Sequence, residues 1–329
     1  MATDTTQKQE ARLRGAAKVD FTTPLHTSVL ENKTAIITGG ASGIGLGIAA
    51  ALSQYGVRVG ILDINEEAGL RAQRDLSIAG GGTVKYFHTD VTSWDSQLAA
   101  FKEVLAWSGN TLDIVIPSAG VRSHNMRDLV YDQLADLTRD PTRPPTTTFD
   151  VNLRGTYYTT YLALTYLTRF ASQPSSMERE FKPQLLFMSS LAGYAEQSLS
   201  ADYAATKYGV RGMWKAIRSQ GKLFGGCQAN LLAPGFVHTD AGAGKEEREE
   251  KHGIVGVKAA KTEDVVEGAV RCVCDGGVEA RAVCCVQGEE GRPGCNNFDL
   301  CDNMEDFNGG KVLLDAIRGG VLGRFGGKE

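Results

Sequence analysis

The feature that most constrains the fold of this chain is an alternation of short apolar runs with longer helix-forming segments. Strands separated by helices pair in parallel, because a parallel connection must cross one face of the sheet and a helix covers that face. We therefore expect an α/β fold, with a doubly wound sheet of about seven parallel strands and helices on both faces. The runs that predict these strands are Thr34–Thr38, Val57–Asp63, Val84–Asp90, Leu112–Pro117, Gln184–Ser189, Cys227–Pro234 and Arg281–Gln287.

Two regions lack this alternation. Residues 1–31 are polar and aperiodic, which predicts an N-terminal extension that is loose or draped over the surface. Residues 121–148 contain three prolines within Pro141–Pro145, and this density excludes a regular helix or a central strand there. Since no internal repeat is visible and the apolar runs span most of the chain, we expect a single domain over residues 32–329, ending in a C-terminal extension.

The bulk composition narrows the class of protein. Hydrophobic residues make up 42% and charged residues 22% of the chain, which is typical of a soluble globular protein. The net charge of −4 offers no general attraction to nucleic acid or to an anionic membrane, and no apolar window approaches a membrane span. The first residues include no apolar stretch of signal-peptide length, so a cytoplasmic location is expected; Arg12 and Arg14 leave a transit peptide as a weak alternative.

Seven cysteines raise the question of disulfides or a metal site. Their odd number argues against a disulfide framework, and their spacings lack the C-x-x-C pairs of zinc sites. Cys284 and Cys285 lie within a run that predicts a buried strand. We expect reduced, buried thiols that act as small hydrophobic side chains, and no bound metal.

A glycine cluster, Thr38–Gly45, joins the first predicted strand to the first predicted helix. Glycines there permit a tight turn and let backbone amides approach a pyrophosphate, while the helix N-terminus offers oriented N–H groups to the phosphates. This position between a strand and a helix favours dinucleotide binding over an incidental run of glycines.

The second predicted strand ends at Asp63, 18 residues after Gly45. A carboxylate in this place can accept hydrogen bonds from the adenosine ribose hydroxyls and repels a 2′-phosphate, so NAD is favoured over NADP. Neither Ser42 nor Ile64 supplies a cation for such a phosphate. An ordinary turn residue at the strand end is the alternative interpretation of Asp63.

Tyr203 and Lys207 stand four residues apart in the helix-forming run Ser198–Val210. Residues at positions i and i+4 are neighbours on a helix, and an ammonium beside a phenol favours the phenolate form. Tyr203 is therefore a candidate proton donor and acceptor. The same spacing also occurs by chance on surface helices.

Together these features resemble the short-chain dehydrogenase/reductase family, in its single-domain NAD-dependent branch with a Rossmann-type sheet. Thr38–Gly45 fits the family's Thr-Gly-x-x-x-Gly-x-Gly pattern, whereas Pro117–Gly120 keeps only the last two residues of its Asn-Asn-Ala-Gly pattern. The resemblance implies a cofactor site made of Gly39, Ser42, Gly43, Ile44, Gly45, Asp63, Asp90, Val91, Ala119, Gly120, Tyr203, Lys207, Pro234, Gly235, Val237 and Thr239.

The same resemblance implies a catalytic set formed by Asn152, Ser190, Tyr203 and Lys207, with Ser190 at the family's usual 13 residues before Tyr203. Tyr203 would exchange the proton of a substrate hydroxyl, while Lys207 would assist it and bond the nicotinamide ribose. Ser190 would orient the substrate oxygen, and Asn152 would bind a water that links Lys207 to solvent. The structural alternatives are a helix cap for Ser190 and a kink or a satisfied core amide for Asn152.

Substrate contacts are expected beyond the carboxyl ends of the strands, from Ser190, Tyr194, Gln197 and Tyr203. A lid is expected around residues 236–260. The run Met188–Tyr194 is more narrowly similar to 15-hydroxyprostaglandin dehydrogenases and to fungal hydroxyaverantin-type dehydrogenases. This similarity implies NAD-linked oxidation of a bulky apolar secondary alcohol, in secondary metabolism.

The leading hypothesis is an NAD-dependent alcohol dehydrogenase or ketoreductase that acts on a small molecule. The alternatives are an NADPH-dependent ketoreductase, against which Asp63 argues, and a catalytically silent nucleotide-sensing protein, against which the intact catalytic set argues. The resemblance also implies a homo-oligomer, a dimer or tetramer assembled through the helices that bear Asn152 and Tyr203. Nucleic acid and membrane partners are not expected.

Overall fold

The computed structural model describes residues 19–79, 82–122, 124–171, 181–195, 199–238, 259–300 and 302. The strands in this part of the chain are β1 (Thr34–Thr38), β2 (Arg58–Asp63), β3 (Val84–His88), β4 (Ile114–Pro117), β5 (Gln184–Met188), β6 (Gln228–Pro234), β7 (Val237–His238), β8 (Ala260–Lys261), β9 (Ala282–Cys285) and β10 (Phe298–Asp299).

Eight of these strands form one sheet in the order β10-β9-β6-β5-β4-β1-β2-β3, and the two-residue strands β7 and β8 pair separately. Pairing is parallel from β9 to β3, while β10 runs antiparallel to β9 at the edge. The predicted sheet of about seven parallel strands is thus confirmed. The strand order reverses between β1 and β4, and ligands of such sheets bind beyond the carboxyl ends of the strands at this point.

The longer helices of the described residues are α1 (Gly43–Gln54), α2 (Glu66–Ala79), α3 (Trp94–Ser108), α4 (Met126–Gln133), α5 (Thr156–Ala171), α6 (Ala201–Ile217) and α7 (Thr262–Cys274). A one-turn helix, Thr147–Phe149, and a π-helical turn, Asp150–Gly155, lead directly into α5. Shorter 3₁₀ turns lie at Thr27–Leu30, Leu191–Gly193 and Gly221–Phe224.

The core has two halves, one on each face of the sheet. Alternation along β1 places Ala35 and Ile37 in one half and Ile36 in the other, because successive side chains of a strand point to opposite faces. Helices α1, α2 and α7 cover the first face, and α3, α5 and α6 cover the second. The expected helices on both faces are therefore present.

Two helices were missed by the sequence interpretation. Helix α4 lies inside residues 121–148, ahead of the prolines, and Asn125 caps it by accepting from the N–H groups of Arg127 and Asp128. Helix α7 lies between β6 and β9, where apolar residues such as Val265, Ala269 and Val273 recur at helical spacing.

The first described residues pack on this frame. Leu30 is fully buried, and the Arg271 guanidinium of α7 donates to the carbonyls of Asp20 and Thr23. Of the two expected states, loose or draped over the surface, residues 19–30 adopt the second, because α7 supplies both an apolar surface and a buried donor for them.

The described cysteines match the sequence expectation with one exception. Cys227, Cys272, Cys274, Cys284 and Cys285 are reduced and buried, whereas Cys295 is partly exposed. Burial raises the pKa of the Cys227 thiol to about 12, because a thiolate there would lose its hydration. Among the described helices, none combines the length and the apolar character needed to cross a bilayer.

Candidate active site

The turn after β1 has the shape that a dinucleotide site needs. Gly39 adopts a φ of +66°, and a Cβ atom there would lie 2.7 Å from the Cα of Ala119. A Cβ on Gly45 would lie 2.3 Å from the carbonyl oxygen of Gly39, so the start of α1 packs directly on the turn. Ser42 precedes α1 and is exposed, and its hydroxyl makes no capping bond to the described part of that helix. The Ser42 side chain therefore does not occupy the N-terminal N–H groups of α1, the kind of group that binds phosphates.

Thr38 joins this turn to the end of β4. Its hydroxyl accepts hydrogen bonds from the N–H groups of Ser118 at 3.1 Å and Ala119 at 3.2 Å. The predicted cofactor residues Ala119 and Gly120 therefore lie beside the glycine turn. One threonine hydroxyl thus aligns the carboxyl ends of the two strands that flank the reversal in strand order.

Asp63 ends β2 next to the turn. Its carboxylate accepts from the Ala41 N–H at 3.1 Å and the Asn65 N–H at 3.0 Å. Tyr86 donates its hydroxyl to the Asp63 carbonyl at 3.0 Å. Burial, followed by the negative charges of Asp63 and Glu66, raises the pKa of Tyr86.

Asp90 and Val91 follow β3 on the same side of the sheet. The Asp90 carboxylate accepts from both the N–H and the hydroxyl of Thr92, each at 2.8 Å. Val91 is buried against Gly155, where a Cβ atom would lie 3.0 Å from the valine side chain. Gln97 of α3 links the two segments by donating to the carbonyls of Val91 and Gly155. This pair is thus fixed against the π-helical turn that carries Asn152.

Asn152 is a satisfied buried amide. Its Oδ1 accepts from the Val121 N–H at 2.7 Å, and its Nδ2 donates to the Val121 carbonyl at 2.9 Å. Its own carbonyl accepts from the Thr156 hydroxyl at 2.8 Å. These bonds use one lone pair of Oδ1, one N–H of Nδ2 and one lone pair of the backbone carbonyl, so the side chain holds the loop after β4. The water that Asn152 is expected to bind stays a prediction.

Ser190 and Ser189 differ in what their hydroxyls do. Ser189 is buried and donates to the Lys207 carbonyl at 2.9 Å. Ser190 is half-buried, accepts from the Ala192 N–H at 3.2 Å and makes a long bond of 3.3 Å to the Pro234 carbonyl. Ser190 therefore caps the turn Leu191–Gly193 and keeps the more accessible hydroxyl, which favours it over Ser189 as the residue that meets a substrate.

Tyr203 and Lys207 lie one turn apart on α6. The Lys207 ammonium is 5.4 Å from the centre of the Tyr203 ring and donates to the Met188 carbonyl at the end of β5 at 3.1 Å. Lys207 is buried and Tyr203 half-buried. The bond to Met188 thus holds the positive charge in place near the Tyr203 ring.

The segment after β6 reaches the same edge of the sheet. Pro234 is buried, and the Gly235 N–H donates to the Cys285 carbonyl at 3.1 Å. Val237 begins β7, which pairs with β8. Thr239, Gln197 and most of the expected lid lie outside the described residues.

Tyr194 belongs to a cluster with Asp302 and Arg211. Its hydroxyl donates to the Asp302 carboxylate at 3.0 Å, and the Arg211 guanidinium lies 4.0 Å from its ring centre. Burial, followed by the negative charge of Asp302, raises the pKa of Tyr194. Its hydroxyl is therefore used within the protein rather than turned toward the pair formed by Tyr203 and Lys207. Asp302 had no recognisable sequence signal, because it lies 91 residues from Arg211.

The described residues thus place a glycine turn, a carboxylate and a lysine–tyrosine pair at the carboxyl edge of one sheet. The glycine turn and helix N-terminus suit a pyrophosphate, and Asp63 suits ribose hydroxyls. The half-buried hydroxyls of Ser190 and Tyr203 suit a small polar group whose proton is exchanged. This combination fits a dinucleotide-dependent reaction at an alcohol or ketone.

Comparison with known proteins agrees with this geometry. Residues 33–250 match the family model described as short chain dehydrogenase. The NADP-dependent dehydrogenase M3 of Phoma sp. is 53% identical over 97% of this chain and 94% of its own length. The NADP-dependent dehydrogenase clz5 of Cochliobolus lunatus is 50% identical over 83% of this chain and 95% of its own.

A 5′-hydroxyaverantin dehydrogenase of Dothistroma septosporum is 35% identical over 88% of this chain and 93% of its own length. The similarity to hydroxyaverantin-type dehydrogenases that the sequence implies is therefore confirmed. These matches extend well beyond the glycine turn, through α6 and the strands that follow. The chain belongs to the short-chain dehydrogenase family and is an oxidoreductase.

Proposed function

We propose that the protein is an NAD-dependent alcohol dehydrogenase or ketoreductase that acts on a bulky apolar secondary alcohol or the matching ketone. The observation that carries this proposal is the placement of Tyr203 over the buried Lys207 ammonium, at the edge of the sheet where the glycine turn lies. Family membership supports turnover over a silent nucleotide-sensing role.

The residues around the turn fit a nicotinamide dinucleotide. The N–H groups at the start of α1 would hold the pyrophosphate, Asp63 the adenosine ribose, and Asp90 with Val91 the adenine. Pro234 and Gly235 would lie along the nicotinamide carboxamide. When bound, the nicotinamide supplies the acceptor or donor of a hydride.

The protein's own residues would handle the proton. Tyr203 would take the hydroxyl proton as the alcohol is oxidised and return it as the ketone is reduced, with the Lys207 ammonium beside its ring. Ser190 would donate a hydrogen bond to the substrate oxygen and hold it in line with Tyr203. Asn152 would support Ser190 and Tyr203 indirectly, by fixing the loop that begins at Val121.

The rim of the site supports an apolar substrate. Val121, Met126 and Leu199 are exposed apolar residues. Val121 is bonded to Asn152, and the Met126 N–H donates to the Leu199 carbonyl at 2.9 Å, four residues before Tyr203. Exposed apolar side chains that gather beside a polar site are typical of ligand-binding clefts. The relative named for 5′-hydroxyaverantin supports the same substrate class.

The choice between NAD and NADP has observations on both sides. The Asp63 carboxylate, next to the glycine turn, opposes a 2′-phosphate, which supports NAD. Two relatives with half or more identical residues are named as NADP-dependent, which supports an NADPH-dependent ketoreductase as the second candidate. We favour NAD because Asp63 belongs to this chain's own site.

The proposed function is tested by NADH or NADPH fluorescence during incubation with a panel of bulky secondary alcohols and ketones. We expect turnover with NAD and much less with NADP, because the 2′-phosphate would meet the Asp63 carboxylate. A stronger signal with NADP would contradict the NAD proposal and leave the dehydrogenase proposal intact. Dinucleotide binding without turnover on any member of the panel would favour the silent alternative.

Asp63→Asn is expected to lower the ratio of kcat/KM with NAD to kcat/KM with NADP. The amide keeps the shape and one acceptor for the Ala41 and Asn65 N–H groups and removes the charge. Hydrogen bonds to charged groups contribute about 1.5–3 kcal/mol, so a fall of roughly tenfold or more is expected. Asp75→Ala removes an exposed carboxylate on α2, away from Asp63, and should leave the ratio of the two kcat/KM values unchanged. An unchanged ratio in Asp63→Asn would remove the main support for NAD.

We also propose that the protein forms a homo-oligomer through α5 and α6, as the family resemblance implies. Tyr157 and Tyr161 on α5 and Tyr208 on α6 are about half exposed. Exposed aromatic residues are enriched at protein–protein contacts, which supports self-association on these helices.

A further inference from the structure

A buried carboxylate from the C-terminal part of the chain lies behind the candidate active site. The Asp302 side chain is 2% exposed and is surrounded by three cationic side chains. Arg211 donates from Nε to Asp302 Oδ2 at 2.9 Å and from Nη2 to Asp302 Oδ1. The Lys215 ammonium lies 3.0 Å from the same Oδ1. Arg218 donates to the Asp302 backbone carbonyl at 3.1 Å.

Asp302 is the carboxylate that Arg211 and Lys215 share. Burial alone would raise the pKa of the Asp302 carboxyl, but the hydrogen bonds from Arg211 and Lys215 outweigh it and lower that pKa. The carboxylate is therefore charged at neutral pH. Removing the carboxylate takes away the paired hydrogen bonds of Arg211 and the ion pair of Lys215, so the Arg211 guanidinium loses the contact that holds it in this position.

Arg211 also connects this cluster to the turn that carries Ser190. It donates to the Gly193 carbonyl at 3.2 Å and lies over the Tyr194 ring, and Tyr194 is itself bonded to Asp302. Gly193 packs so closely on α6 that a Cβ atom there would lie 2.8 Å from the Lys207 carbonyl. The turn and the helix are thus joined at Gly193, within one helical turn of Lys207.

We propose that Asp302 is a positioning residue for the candidate catalytic centre. It holds Arg211 against Gly193, and in this way it fixes the turn that bears Ser190 relative to the helix that bears Tyr203 and Lys207. Asp302 touches none of the reacting groups, and it acts only through Arg211 and Tyr194. This inference rests on the proposed function.

The test is Asp302→Ala with added formate. We expect dinucleotide affinity to change by less than about twofold, because the glycine turn and Asp63 belong to other elements, while kcat falls roughly tenfold to a hundredfold through misplacement of Ser190 against Tyr203. Formate supplies a small carboxylate to the space that the truncation leaves, so kcat should recover with saturable dependence on formate. Asp302→Glu should retain more activity than Asp302→Ala.

Asp113→Ala is the matched control. Asp113 is a buried carboxylate that accepts from the Thr34 N–H at 2.9 Å. It directly precedes β4, at the amino ends of the strands and so on the side of the sheet away from the candidate site. Asp113→Ala should lower the melting temperature without changing kcat and without any response to formate. If Asp302→Ala fails to fold, Arg211→Lys takes its place: it keeps the charge but shortens the reach to Gly193, and it should show the same loss of kcat.

The outcomes separate this inference from the proposed function. Normal kcat in folded Asp302→Ala, or in Arg211→Lys, overturns the positioning role while the wild type still turns over. A loss of kcat that formate does not restore, and that Asp113→Ala shares, means that only stability is affected and also overturns it. No turnover by the wild type overturns the proposed function, and with it this inference.

Discussion

Tyr203→Phe is expected to bind the dinucleotide normally and to lose nearly all turnover. The substitution removes one hydroxyl and keeps the ring, which lies with its centre 5.4 Å from the Lys207 ammonium. Positioned general acid–base groups contribute about 10²–10⁴-fold in rate, so a loss of kcat of this size is expected. Stopped-flow or steady-state kinetics, together with NADH titration by fluorescence, measure the two quantities separately.

A second tyrosine provides the control. Tyr161 on α5 is exposed, and its ring contacts the edge of Trp94, a contact that a phenylalanine can keep. Tyr161→Phe should therefore leave kcat and dinucleotide affinity unchanged. Turnover within about tenfold of wild type in Tyr203→Phe would contradict the assignment of the proton to this phenol, because the ring alone cannot exchange a proton.

The sheet and the glycine turn could be predicted from sequence because both depend on local patterns. The buried strands read as apolar runs, and Thr38–Gly45 combines a glycine cluster with a strand before it and a helix after it. The spacing of Tyr203 and Lys207 is likewise set by one helix turn. Such features need no knowledge of distant contacts.

The supporting contacts could not be predicted in the same way. The Asn152 amide is bound to the Val121 backbone 31 residues away, and Asp302 meets Arg211 across 91 residues. A pairing of this kind depends on where the chain returns in space, and neither residue type nor periodicity encodes it. The family pattern identifies Asn152, and the water that it is expected to bind stays a prediction, whereas its bonds to the loop at Val121 had no signal in the sequence.

The site thus combines two kinds of residue. Groups expected to meet cofactor or substrate lie at strand ends and helix starts, where topology places them. The groups that hold these in position, such as Thr38 and Gln97, join one strand or helix to the next through buried hydrogen bonds. Because each buried bond lost leaves an unpaired polar group, substitutions in the second set should affect stability as well as rate.

Gly45→Ala is expected to weaken dinucleotide binding strongly. The new methyl would lie 2.3 Å from the Gly39 carbonyl oxygen and 3.2 Å from the Gly40 Cα, which are backbone atoms that can move only if the whole turn shifts. Such a shift would move the N–H groups that hold the pyrophosphate; a hydrogen bond to a charged group contributes about 1.5–3 kcal/mol, and 1.4 kcal/mol corresponds to about tenfold in Kd. We therefore expect the Kd for NADH, measured by fluorescence titration, to rise roughly tenfold or more.

Gly212→Ala is the matched control for this change, because Gly212 is exposed in α6 and a Cβ atom there would meet none of the described atoms within 4 Å. Alanine is favoured over glycine in an exposed helix by about 1 kcal/mol, so this variant should be as stable as wild type or more stable and should bind NADH normally. An unchanged Kd in Gly45→Ala would show that the turn can shift without loss of the pyrophosphate contacts. In that case the N–H groups of α1 would not be the main source of dinucleotide affinity, and Asp63 with the strand ends beside it would have to supply it.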